Sequence, residues 1–428
     1  MFSKLKINKF YSASLIFFIA SLFGALGNYV FHSLSARLLA PAAYGELQSL
    51  IALSIIFGIP VGVFSTVIIK YTAEFKAKNE NSKIYFLFKN FTKKLFFLGI
   101  FLAITLLTLS WFIFDFLALT SPASMLILIA GYIFVFLAAL NNSILQGLRK
   151  FADFSLISVV GVILKIILAF VLIKLSLAVF GAITAIVISG LAAYGLTFIP
   201  LNKVFKSQQA VFSSIALPTR QMFLFSGPVF FSLLFTTMLY NLDIILVKHF
   251  FTAELAGHYA ALALIGHIIF FIVGPLAAVM FPFASTARAT QKQPNFVLKK
   301  SLGMSVFIGL AGLIIYFLCP NLIIKIIVGA NYLNLAPYLG WFGLSMLLFS
   351  LISLLSQYFL SINKTGFVYF LGMAVFLQIL FIALWHQNLW QIIWTMNFVM
   401  ALCLASLYFY YSFSAKLLKH KSIKTITL

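Results

Sequence analysis

Twelve apolar stretches, each long enough to cross a bilayer as a helix of about 20 residues, follow one another along this chain, and the cations between them alternate. The stretches run over 11–38, 47–69, 94–117, 123–145, 154–175, 177–199, 221–247, 255–282, 301–319, 335–360, 366–386 and 389–413. Of the 29 Lys and Arg residues, all but Arg37, Lys165, Lys174, Lys248 and Lys325 fall in the two terminal tails or in the loops after even-numbered stretches. Lys and Arg concentrate on the cytoplasmic side of membrane proteins. The pattern therefore predicts an all-α polytopic membrane protein of about twelve spans with both termini cytoplasmic.

With 63% hydrophobic residues, 8% charged residues and only 7 acids, such a surface is one that lipid and not water solvates. The net charge of +22 does not point to nucleic acid, because the cations are short clusters flanking apolar spans, such as Lys89, Lys93 and Lys94. Cys319 and Cys403 have no metal-site or disulfide spacing, so no metal or other cofactor is expected. Lys4, Lys6 and Lys9 precede an apolar run much longer than a signal-peptide core, so the first span reads as retained. The longest loops, near 70–93 and 200–220, leave no room for a catalytic domain, and no Walker motif is present. No enzymatic activity is expected.

Landmarks repeat at an offset of 212 to 215 residues: Asn28 with Asn241, Gly45 with Gly257, Arg149 with Lys364, and Lys165 with Gln378. This divides the chain into six-helix halves, 1–205 and 206–428. Six is an even number, so both halves start on the same side and are parallel repeats. The expected architecture is two parallel lobes around a central cavity, a plan suited to alternating access.

Several strings carry a family likeness. They are Ala36-Arg37-Leu38-Leu39-Ala40-Pro41-Ala42-Ala43-Tyr44-Gly45, Leu145-Gln146-Gly147-Leu148-Arg149-Lys150-Phe151, and Asn241-Leu242-Asp243-Ile244-Ile245-Leu246-Val247. Ala256-Gly257-His258-Tyr259-Ala260-Ala261, Phe281-Pro282 and Gly329-Ala330-Asn331-Tyr332 continue the series. In this order the chain resembles the polysaccharide transporter family, the Wzx-type lipid-linked oligosaccharide flippases. The resemblance implies a polyprenyl-pyrophosphate-linked oligosaccharide as cargo, moved from the cytoplasmic to the outer leaflet of the cell membrane. It also implies membrane lipids as surroundings, and glycosyltransferases or a polymerase of the same pathway as partners. The related lipid II flippases usually carry fourteen spans. The related multidrug antiporters often carry an acid in span 1, which is lacking here.

Lys165 is the sharpest candidate for substrate contact, since eleven residues from Phe154 place it about 16 Å deep, near the midplane. A charge there normally faces a partner or a wet cavity, and the resemblance makes the pyrophosphate its ligand. Arg37 suits bidentate phosphate recognition or a brace against Glu46. His32, Gln378 and Asn241 are polar positions for the same headgroup. Asp243 and His267 are candidates for ion coupling, with a solvated cap beside Lys248 as the alternative for Asp243. Glu74 has Lys70 four residues before it, at ion-pair spacing, and Pro60, Pro228 and Pro275 suggest bends. The competing function is an ion-coupled multidrug-type antiporter of small amphiphilic compounds. The topology is directly checkable: alkaline phosphatase fused after Leu428 is expected to be inactive and green fluorescent protein there to fluoresce, while phosphatase fused after Val328 is expected to be active.

Overall fold

The computed structural model describes residues 20–424 apart from 21, 79, 206–218 and 290–293, and among these residues it contains no strand. A helix over 22–38, α1, comes first; the earlier part of the first expected span, with Lys4, Lys6 and Lys9, lies outside the described residues. Seven helices complete the first half: α2 (Pro41–Phe57), α3 (Ile59–Ala77), α4 (Asn81–Thr108), α5 (Ser110–Phe116), α6 (Pro122–Gly147), α7 (Phe151–Leu172) and α8 (Ala178–Phe205). The second carries α9 (Thr219–Phe250), α10 (Ala253–Ala289), α11 (Pro294–Leu318), α12 (Pro320–Ile327), α13 (Ala336–Ser361), α14 (Phe367–Leu384) and α15 (Leu389–Lys424). By contact the chain forms two compact units, Met1–Gly227 and Pro228–Leu428.

Among the described residues nine helices are long and apolar enough to cross a membrane, or ten with the bent pair Pro41–Phe57 and Ile59–Lys76 taken as one. One of the nine covers Phe151–Phe205, and its 55 residues would reach about 80 Å if straight, far beyond a core about 30 Å thick. It is instead a hairpin: Leu175 and Ser176 leave the helical region, and α7 and α8 pack along each other. Counting it as two, with α1 added, accounts for the twelve crossings expected. Large apolar side chains such as Phe97, Phe101, Ile104 and Phe307 face outward, as lipid-facing helices require.

In unit 1, α6 is the central helix and packs against α3, α4 and α8. Toward the end where the basic loops lie, Ile84, Leu87, Phe91 and Leu95 line one stripe of α4 and meet Ile68, Tyr71 and Phe75 of α3 and Leu140 and Ile144 of α6. The spacing of that α4 stripe is helical, so the segment expected as a loop over 70–93 is instead helix up to Ala77 and again from Asn81. Gly147 permits the contact of α6 with α3, because a Cβ there would lie 2.5 Å from Cβ of Thr72. In unit 2, α13 holds the same place, packed against α10, α11 and α15. The corresponding pairs recur in both units: α3 on α4 and α10 on α11, α7 on α8 and α14 on α15, α4 on α5 and α11 on α12.

The turns repeat as well. After α6, Lys150 N–H bonds to the carbonyl of Leu145 and Arg149 N–H to that of Gln146, with Arg149 at φ 61°. After α13, Lys364 N–H bonds to Phe359 and Asn363 N–H to Leu360, with Asn363 at φ 51°. Both are Schellman turns with a left-handed residue after the helix. The structure thus pairs Arg149 with Asn363, one residue earlier than the Lys364 expected from sequence.

Other expectations need correction. Span 2 breaks at Gly58, just before Pro60, into helices bent by 44°, whereas α10 continues as one helix through Pro275. The short helices α5 and α12 were not expected at all. Glu74 pairs with Lys78 at 2.8 Å.

The hairpin between α7 and α8 stores strain at Ala178, with φ 42° and ψ −126°, close to the first central position of a type II′ turn, which glycine fills at no steric cost. Ala178→Gly is expected to stabilise the protein by about 1 kcal/mol, read as a rise of roughly 1–2 °C in the thermal unfolding midpoint in detergent.

Candidate functional site

Lys165 extends from α7 to α1 within unit 1. Its Nζ donates to Oδ1 of Asn28 and sits over the ring of Phe31, 4.7 Å from the centroid. Asn28 and Phe31 are three residues apart, so one face of α1 presents both. Gly27 allows the two helices to come this close, since a Cβ there would lie 2.2 Å from Cγ1 of Val162. Asn28 is exposed and Lys165 half-buried, so the pair opens away from the packed interior of the unit. Because α7 starts at Phe151 and ends at Leu172, Lys165 lies about 20 Å from one end and about 10 Å from the other.

His32 follows one turn after Asn28 and receives a hydrogen bond at Nδ1 from the side-chain amide of Gln48 on α2, 2.7 Å away. The structure therefore gathers Lys165 and His32 onto one helix face, with Asn28 and Phe31 between them. Arg37 is exposed near the end of α1. The bonds to the Glu46 carboxylate come from Thr120: its N–H at 3.1 Å and its hydroxyl at 2.8 Å both reach Oε2. Glu46 is 1% exposed and its Oε1 has no hydrogen-bond partner. The α5–α6 turn, not anticipated from sequence, is what fixes this acid.

In unit 2, Asn241 and Asp243 face different neighbours, as their spacing requires. Asn241 bonds back along α9 to the carbonyl of Thr237 at 3.1 Å. Asp243 accepts at Oδ2 from the hydroxyl of Tyr259 on α10, 2.7 Å away. Asp243 is 0% exposed and Oδ1 is without a hydrogen-bond partner. The solvated cap considered for Asp243 is thereby overturned; this acid is enclosed between helices. His267 on α10 is buried too, bonds to the backbone of Tyr240 on α9, and leaves Nε2 unpartnered. Tyr240 and Asp243 lie three apart on α9, so both candidates for ion coupling border the same α9–α10 seam.

Gln378 on α14 is fully buried. Its Nε2 donates to the carbonyl of Leu239 at 3.3 Å and to Sδ of Met396 at 3.0 Å, while Oε1 has no partner. The α14–α9 contact at Gln378 repeats the α7–α1 contact at Lys165, with a closed neutral amide in place of an open cation. Gln378 and Asn241 are thus in helix seams, and Lys165, His32 and Arg37 are the expected residues that retain exposure. Tyr259, Asn28 and Phe31 were missed as functional partners. The signal for Tyr259 was present in the Ala256-Gly257-His258-Tyr259 string, but nothing in the string tied its hydroxyl to Asp243.

Polysaccharide biosynthesis proteins form the family that matches this sequence, over residues 34–337. The chain belongs to that family. Among solved structures, it is similar to an inward-facing multidrug resistance MATE transporter of the MOP superfamily, with a TM-score of 0.78 and 15% identity over 93% of this chain and 96% of that one. It is also similar to the lipid II flippase MurJ in an inward closed conformation, at a TM-score of 0.70 and 14% identity over 93% and 87% of the two chains. A third likeness is to a MOP superfamily transporter from Pyrococcus furiosus described by the reverse polarity of its binding pocket, at a TM-score of 0.62 and 16% identity over 93% and 94%. These identities establish a shared fold. A comparison with curated protein sequences finds no match. The protein is a polytopic membrane protein of the polysaccharide biosynthesis family with the fold of MOP transporters.

The Tyr259 hydroxyl is the side-chain hydrogen-bond donor to Asp243 inside unit 2. Tyr259→Phe is expected to cost about 1–3 kcal/mol, the penalty for a buried acceptor that loses its donor, measured as a lower thermal unfolding midpoint. An unchanged midpoint would show that the carboxyl finds water or an ion instead.

Proposed function

We propose that the protein is a flippase that moves a polyprenyl-pyrophosphate-linked oligosaccharide from the cytoplasmic to the outer leaflet of the plasma membrane, by alternating access and with both termini cytoplasmic. The observation that carries the reading is Lys165: an exposed-side cation within a span, in a member of a polysaccharide biosynthesis family. In hydrocarbon such a charge costs at least about 2.5 kcal/mol on insertion scales. A chain carrying it gains most if an anion uses it. The isoprenoid tail stays in lipid while the headgroup follows a wet, cationic route, which avoids stripping a pyrophosphate of its hydration.

In this reading Lys165, with Arg37 and His32 farther out along α1, contacts the pyrophosphate. Gln378 and Asn241 meet the sugar only when their seams part, so they are the weaker contacts. Asp243 and His267 carry the coupling ion. Glycosyltransferases that build the glycan and a polymerase that extends it are the pathway partners.

Depletion of the protein in its host, followed by mass spectrometry of extracted lipids, tests the reading. A polyprenyl-pyrophosphate oligosaccharide is expected to accumulate with its sugar shielded from the outside. Wild type should clear it, and Lys165→Ala should restore about a tenth of that clearance or less, a loss equivalent to about 1.4 kcal/mol or more. Unchanged lipid-linked sugars together with raised sensitivity to amphiphilic drugs would instead favour the multidrug-type antiporter.

A further inference from the structure

Among the described residues, both groups that hold the Lys165 ammonium are neutral: the side-chain carbonyl of Asn28 and the ring face of Phe31. The orientation of the Asn28 amide is fixed from its other end. Its Nδ2 donates to the carbonyl of Gly24 at 3.0 Å, one turn back along α1, so Oδ1 is the end turned to Lys165. An aspartate in the same rotamer would put one carboxylate oxygen against the Gly24 carbonyl, acceptor against acceptor. Its other oxygen would cancel the ammonium charge. Asparagine alone offers a donor to the backbone and an uncharged acceptor to the lysine from one side chain. Phe31 acts in the same sense, because a ring face attracts a cation without neutralising it.

Among the described residues of unit 1, ion pairs join Lys78 with Glu74, Lys83 with Glu80, and Lys150 with Asp153, all near helix ends. Lys165 is treated differently. It is positioned by Asn28 and Phe31 with no carboxylate beside it among the described residues, on the side of α1 and α7 that is open. At the corresponding place in unit 2, Gln378 is fully enclosed and bonds to a backbone carbonyl and a thioether. Of these two corresponding positions, the charge stands at the one that retains exposure.

We infer that Asn28 is a specificity-determining residue: by positioning Lys165 through a neutral amide it keeps a full positive charge in the site, which then accepts a phosphate or pyrophosphate headgroup and excludes cationic amphiphiles. The inference rests on the flippase reading for its choice of lipid-linked anion. Asn28 positions and does not itself need to touch the headgroup.

The test is binding to the full-length protein in detergent, measured by native mass spectrometry with two probes of opposite charge, undecaprenyl pyrophosphate and tetraphenylphosphonium. Wild type should prefer the anion. Asn28→Asp should weaken it by about tenfold or more, equivalent to about 1.4 kcal/mol, and should raise affinity for the cation. Asn28→Ala removes the tether but not the charge, and should weaken the anion by about threefold at most, while Lys165→Met should lose it as Asn28→Asp does. A merely structural role for Asn28 would move both probes together and would make Ala no better than Asp. Thermal unfolding of each variant identifies any that does not fold, and the Ala and Met variants still decide the matter if Asp does not fold.

Anion binding by Asn28→Asp equal to wild type, or a loss in Asn28→Ala as large as in Lys165→Met, would overturn the inference and leave the flippase reading standing. Preference of the wild type for tetraphenylphosphonium would overturn both. Inorganic pyrophosphate displacing undecaprenyl pyrophosphate at equal concentration would assign the site to a free anion and overturn its assignment to a lipid headgroup.

Discussion

A bilayer offers no partner to a peptide group, so each backbone donor and acceptor within the spans must be satisfied by the chain itself. Helices meet that demand, and the same demand then falls on side chains. The small hydroxyls answer it locally. Ser35 bonds to the carbonyl of Phe31, Thr92 to that of Phe88, Ser143 to that of Ala139, and Ser350 to that of Met346, each four residues back. Larger polar groups cannot all fold back on their own turn, so they reach a neighbouring helix. Asn141 reaches Thr197 at 2.7 Å, Asn397 reaches the carbonyl of Trp341 at 3.0 Å, Asp243 meets Tyr259, and Lys165 meets Asn28. These cross-links give register to helices whose apolar surfaces alone would slide, since lipid competes with any apolar partner.

That division explains what could be read from the sequence. Hydropathy and charge bias act on one segment at a time, so the crossings, their order and the cation at 165 were legible. Partners were not, because an interhelical bond joins residues far apart in the chain: 137 residues separate Lys165 from Asn28, and 74 separate Thr120 from Glu46. Asp243 shows the consequence. By its distance from the end of an apolar run it reads as a headgroup-level acid, and only the position of Tyr259 on α10 reveals that it is enclosed. The short helices α5 and α12 escaped for a different reason. Each is apolar and continuous with the span before it, so hydropathy joins Trp111 and Phe112 to span 3, and nothing in average polarity marks where the axis changes.

The repeat was legible in outline and corrected in detail. Sequence landmarks are whole residues and slip by one or two; hydrogen bonds do not. The paired Schellman turns after α6 and α13 fix an offset at which Arg149 matches Asn363, and the helix pairs that pack in one unit recur in the other. We read the two units as copies of one six-helix plan on these grounds. Equivalent backbone turns filled by Arg in one and Asn in the other show that the conformation has been kept while side-chain chemistry has diverged, Asn being the residue that enters the left-handed region more readily.

The divergence has a direction. At the contact between the first and fifth spans of each unit, one copy carries a charged, reachable lysine and the other a sealed glutamine. At the first and second spans each unit encloses an acid with one oxygen unpartnered, Glu46 on α2 held by Thr120 and Asp243 on α9 held by Tyr259, and in unit 1 a histidine bonded to Gln48 lies there as well. In the flippase reading proposed above, Lys165 of unit 1 meets the anionic headgroup and Asp243 of unit 2 carries the coupling ion, so that the two need not compete for one side chain. A duplicated fold makes such a separation accessible, because either copy can change its polar residues while the packing of α6 or α13 at its centre stays as it was.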